Sequence, residues 1–101
     1  MEMDKRLESV YVLFHNRARE LFFSLLRDFS ASIDGINRRR DEYLFQQKRE
    51  QYVNRLQQQL EEIAQETIRQ NQSQNQELLN RNLNHFVGDY VHQFVQKVKT
   101  L

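Results

Sequence analysis

The chain has 101 residues, and its 15 Lys and Arg against 14 Asp and Glu give a formal net charge of +1. This balance provides no strong field for nucleic acid or an anionic membrane. The absence of Cys excludes disulfide frameworks and thiolate chemistry, and the absence of Pro with only two Gly disfavours phosphate-binding loops and multi-stranded β architectures.

The N-terminal region mixes acidic and basic residues, which is unlike a signal or transit peptide. The longest apolar stretch without a formal charge, residues 9–16, is far shorter than the ~20 residues that a bilayer-spanning helix needs. We therefore expect a cytoplasmic protein with no membrane span.

Residues 4–34 carry apolar side chains at three- and four-residue steps, which predicts a first amphipathic helix. Val12, Phe23 and Leu26 fall outside the main apolar stripe, on one flank of this helix. Val12 and Phe23 are eleven residues apart and therefore align along the helix. A single neighbouring helix cannot cover an apolar surface this wide, so helix 1 is expected to contact at least two other helices.

A break is predicted near Gly35, which suits the left-handed position that follows a helix. Residues 38–40 are three arginines, which would oppose the helix dipole in a first turn and so fit better in a connection. Asp41 and Glu42 then suit the N-cap and first turn of a second helix. The alternative is one unbroken helix through Gly35, at a cost of ~1 kcal/mol relative to Ala.

The second predicted helix, residues 41–70, has a narrow apolar stripe in an otherwise polar sequence. The apolar residues of this stripe follow the 3–4 spacing of a coiled-coil seam over only two to three heptads. They are Val53, Leu56, Leu60, Ile63 and Thr67.

Residues 69–76 contain no apolar side chain, so they form either a turn or an exposed continuation of the helix. We favour a turn, with Ser73 as the cap of a third helix over residues 74–99. Strand-forming residues such as Val87 and Phe94 are frequent there, but their 3–4 spacing favours a helix over a strand.

Three polar residues of the third helix, His85, Asp89 and His92, share one face and could be read as metal ligands. They point away from the apolar face, so we interpret them as a solvated stripe; His15 is expected at the boundary of the core. Adjacent acids such as Asp41 and Glu42 diverge by about 100° and form no acid–base pair. We expect no metal, no cofactor and no enzymatic activity.

The predicted fold is all-α: two or three long helices forming an antiparallel hairpin or three-helix bundle with coiled-coil character. The predicted function is protein–protein interaction, as a small adaptor, assembly factor or structural subunit that forms a homodimer or joins a larger complex. The alternative is a nucleic-acid-binding helical protein that uses Arg38, Arg39 and Arg40, although the near-neutral charge disfavours it. The candidate interface residues are Val12, Phe23, Leu26, Val53, Leu56, Leu60 and Ile63.

Overall fold

The computed structural model describes residues 5–37 and 39–101, with side chains described from residue 7 onward. All regular structure in these ranges is helical, and the helices pack on one another, which confirms the all-α prediction as a three-helix bundle. The bundle measures 54 × 19 × 18 Å along its principal axes. Its helices are α1 (Lys5–Ser32), α2 (Glu42–Gln70) and α3 (Gln76–Lys99).

The break between α1 and α2 lies where the sequence predicts it. Gly35 has φ +82°, a left-handed conformation that glycine adopts without the steric penalty of a Cβ. Asp41 occupies the N-cap position of α2, but its side chain makes no capping hydrogen bond. The predicted position of the α2 N-cap is therefore confirmed, but the Asp41 side chain does not contribute to the cap.

The second connection is a turn, as favoured from the sequence, but its capping residue differs from the prediction. The Asn75 side chain accepts a hydrogen bond from the backbone N–H of Leu78 at 3.1 Å. Ser73 as the cap was therefore wrong, and α3 begins at Gln76 rather than residue 74. Asn is as good a helix N-cap as Ser, so residue type alone does not separate the two positions.

Each helix contacts both of the others, as the width of the apolar surface on α1 predicts. Short connections make α2 antiparallel to its neighbours, so α1 and α3 run parallel. Aromatic contacts fix this register at two levels: Phe22 packs edge-on against Phe94 with ring centroids 5.6 Å apart, and Tyr11 against Phe86 at 5.4 Å.

The core runs through the length of the bundle, and all three helices contribute to it. Burying side chains of this size removes roughly 1.5–3 kcal/mol each of unfavourable hydration, the main term that opposes chain entropy. The buried apolar residues are Val10, Phe14, Ala18, Phe22, Leu25, Phe29, Phe45, Leu56, Leu60, Ala64, Leu79, Leu83, Val87, Tyr90, Phe94 and Val98.

Candidate interaction surface

The outer side of α1 exposes three large apolar side chains. Val12 is 53% exposed, Leu13 65% and Phe23 57%, although the opposite side of the same helix is in the core. Scattered single apolar residues are normal on a protein surface, but here Val12 and Leu13 are adjacent and Phe23 lies on the same side of the helix. We call Val12, Leu13 and Phe23 the α1 outer patch.

Val12 and Phe23 belong to this patch as the sequence predicts, and Leu26, the third flank residue, is half-buried against the core. Leu13 is a patch member that the sequence reasoning missed. The signal was present, because Val12 and Leu13 are adjacent and so point about 100° apart, which prevents both from entering one core stripe.

A shallow surface depression lies at the N-terminal end of the patch. Its walls are Glu8, Ser9, Val12 and Leu13, two consecutive pairs one helical turn apart. Phe23 lies at the other end, eleven residues beyond Val12, and this spacing is close to three full turns. The depression and the Phe23 ring therefore lie on the same side of α1, about 16 Å apart at ~1.5 Å per residue.

The Phe23 ring is held in place by its neighbour in the core. It packs edge-on against the buried ring of Phe22, with centroids 5.3 Å apart and an interplanar angle of 83°. Such edge-to-face pairs contribute about 0.5–1.5 kcal/mol beyond area burial. Phe23 is thus an exposed but supported aromatic side chain.

Charged residues of both signs surround the patch. Glu8 and Glu20 are balanced by Arg19 and Arg27, and all four are exposed. Among the side chains that the structure describes, none of these four lies in an ion pair. The four charges of the rim therefore cancel in sum, but each of them can pair with an opposite charge on a partner.

The narrow seam of α2 lies differently from the α1 flank. Leu56 and Leu60 are completely buried in the core of the chain itself, so they do not line an outer surface. Val53 and Ile63 are half-buried and pack against that core. The 3–4 rhythm that suggested docking to a partner is therefore satisfied largely within one chain.

The arginine cluster lies in the connection between α1 and α2. Arg39 and Arg40 are exposed, while Arg38 lies outside the described residues. The backbone N–H of Arg39 donates to the Asn37 side-chain oxygen at 3.0 Å, which forms a local turn. The guanidinium groups are therefore presented to solvent near the acidic residues that flank the turn.

The three histidines have different environments. His85 Nε2 lies 3.4 Å from a carboxylate oxygen of Asp89, and both residues are exposed, as is His92. Within residues 5–37 and 39–101, no three His, Cys, Asp or Glu side chains are grouped as a metal site requires.

His15 lies at the core boundary, as the sequence predicts. Its Nδ1 lies 2.7 Å from the Tyr90 hydroxyl, and its ring centroid is 4.5 Å from that of Phe86. Burial lowers the pKa of His15 from its ordinary value of 6.5, and the Arg19 guanidinium lowers it further. This histidine joins α1 to α3 through a polar contact.

These features define the class of the protein as a small three-helix bundle whose first helix carries an exposed apolar patch. Comparisons with protein-family models, curated proteins and solved structures give no match for this chain. In the part of the chain that the structure describes, no helix is both long and apolar enough to cross a membrane.

Proposed function

We propose that this protein is a non-enzymatic protein–protein interaction module of the adaptor, assembly-factor or structural-subunit type, located in the cytoplasm. The observation that carries the proposal is the α1 outer patch, which remains exposed after the bundle has formed its own core. Exposed apolar patches with a polar rim mark protein interaction sites. The docking partner is a helix that lies along α1.

The distribution of polar side chains supports a binding role over catalysis. The potentially reactive groups nearest the core are engaged between helices: His15 with Tyr90, and Tyr11, whose hydroxyl accepts from the Asn82 amide at 2.8 Å. These contacts join α1 to α3 and so serve packing. A surface that exposes Phe23 and Leu13 suits association, because aromatic anchors dominate the energetics of interfaces.

Affinity co-purification tests this function. One set of cells produces the wild-type chain in a tagged and an untagged form. In a second set, the tagged and the untagged form both carry Val12→Lys and Phe23→Lys. We expect the wild-type tagged chain to retain a protein, whether a second copy or another chain, and the double variant to lose it. Leu44→Lys is the matched control, because Leu44 is 42% exposed and lies on α2 instead of α1.

Retention of the same proteins by the wild-type chain and the double variant would contradict the proposal. Helical circular dichroism spectra of all three chains establish that a loss of binding reflects the surface. Both substituted positions are already more than half exposed, so lysine there leaves the core intact.

The second candidate function is nucleic-acid binding at the end of the bundle that carries the arginine cluster. It is favoured by Arg49 and Lys99, which line one groove at that end with Glu42, Phe45 and Gln46. With the exposed Arg39 and Arg40, they provide basic side chains from three segments. Binding of RNA or DNA that weakens steeply with added salt would support this function, and no binding at low salt would remove it.

A further inference from the structure

We propose that the occupant of the α1 outer patch is a second copy of this chain, packed antiparallel along α1 about a two-fold axis. Phe23 of each copy enters the depression formed by Glu8, Ser9, Val12 and Leu13 of the other. This inference rests on the proposed function, since it names the partner of the same surface.

The first support is that α1 carries both halves of a complementary pair. Phe23 is a projecting ring, and the depression is a shallow hollow bounded by four side chains of the same helix. Both lie on the same side of one helix. A two-fold axis midway between them places each ring over the hollow of the other copy, so one patch on each copy satisfies both contacts.

The second support is the residue at the midpoint. Asn16 is exposed and lies between the depression and Phe23 on the same side of α1. In the antiparallel arrangement the two Asn16 side chains meet near the axis, where each amide can donate to the oxygen of the other. A polar pair of this kind fixes the register of packed helices.

The third support is the charge of the rim. The antiparallel arrangement brings Glu8 of one copy close to Arg27 of the other, and by symmetry this pair occurs at both ends of the contact. A parallel arrangement would instead bring Glu8 beside Glu8 and Arg27 beside Arg27, and it would place Phe23 against Phe23 with both depressions empty. Like charges at the rim oppose association, so the rim selects the antiparallel form.

Disulfide cross-linking tests the proposal directly, because the chain has no cysteine of its own. Ser9→Cys and Arg27→Cys chains are mixed in equal amounts, oxidised and weighed by mass spectrometry under non-reducing conditions. Both positions are exposed on the outer side of α1, and the two substitutions leave the three apolar residues of the patch in place. We expect the mixed dimer, in which one Ser9→Cys chain is joined to one Arg27→Cys chain, to exceed either symmetric dimer at least about tenfold.

The expectation follows from distance. In the antiparallel arrangement the two copies of position 9 are more than about 20 Å apart at ~1.5 Å per residue, as are the two copies of position 27. A disulfide requires Cα atoms within about 7 Å. Adding Phe23→Ala to both chains should weaken the dimer at least about tenfold, because truncation of a central aromatic anchor commonly has that effect.

Gln58→Cys mixed with Ser9→Cys is the control and should give only background, because Gln58 is exposed on α2. Symmetric dimers as the main product would overturn the antiparallel arrangement. Absence of any cross-link above the control would overturn the second copy as the occupant. In that case the co-purification experiment still decides whether the α1 outer patch binds another protein.

Discussion

At the scale of single residues, His15 places a titratable ring in the contact between α1 and α3. Its ring is half-buried between α1 and α3, beside Phe86 and hydrogen-bonded to Tyr90. Burial lowers its pKa in the folded chain, and Arg19 adds to the shift. A surface groove between α1 and α3 is lined by His15 and Arg19 on one side and by Asp89, an acidic residue of α3, on the other.

The lowered pKa predicts a loss of stability in mild acid. Because the unfolded chain binds a proton near pH 6.5 and the folded chain only at lower pH, the contribution of His15 is complete above about 6.5. It declines as the pH falls through the folded pKa. Urea unfolding at pH 7.5 and 5.5 should show a lower unfolding free energy at the lower pH.

The matched variants are His15→Gln and His92→Ala. Replacing His15 should reduce the difference in unfolding free energy between the two pH values, whereas replacing the exposed His92 should retain it. If the His15→Gln chain shows the full wild-type difference, the pH dependence arises elsewhere.

Core residues give the largest expected effects. Phe94 is completely buried and Leu25 is 5% exposed, so Phe94→Asp or Leu25→Asp places an unpaired carboxylate in the core. The cost is several kcal/mol, comparable to the whole stability of a small domain. Thermal melts followed by circular dichroism should show an unfolded chain for both and an almost unchanged one for His92→Ala.

At the scale of helices and connections, the two glycines predict opposite effects of the same substitution. Gly35 has φ +82° in the connection, so Gly35→Ala should cost about 1 kcal/mol through backbone strain alone, since no atom lies within 4 Å of the added Cβ. Gly88 is an exposed residue inside α3 with equally open surroundings. Gly88→Ala should therefore stabilise the chain by about 0.5–1 kcal/mol. Chemical denaturation measures both, and effects of the same sign would contradict these backbone assignments.

The α3 N-cap gives a second test at this scale. Asn75→Ala removes the acceptor for the Leu78 N–H and should cost about 1 kcal/mol. Ser73→Ala should change the unfolding free energy little, because Ser73 does not cap the helix. A larger loss for Ser73→Ala would place the cap where the sequence alone suggested it.

The helices were largely predictable because apolar spacing, one left-handed glycine and a polar turn all point to the same boundaries. The position of the α3 N-cap at Asn75 was not predictable, since neighbouring polar residues have nearly equal capping propensity. The burial of Leu56 and Leu60 within the chain was also not predictable. A seam of this spacing has the same pattern whether it packs on its own bundle or on another chain.

For the whole molecule, the decisive feature is how the bundle distributes its apolar surface. α2 and α3 cover the inner side of α1, and the α1 outer patch remains after that core is complete. The sequence predicted an uncovered flank from Val12 and Phe23. It did not reveal the depression beside them, because a hollow depends on which neighbouring side chains leave space.

Sedimentation equilibrium of the purified chain tests self-association through the α1 outer patch most directly. At high micromolar concentration we predict a species of about twice the 12.4 kDa chain mass, and a monomer for the Val12→Lys, Phe23→Lys variant with unchanged helicity. A wild-type chain that remains a 12.4 kDa monomer throughout, or a dimer that the double substitution leaves intact, would contradict it.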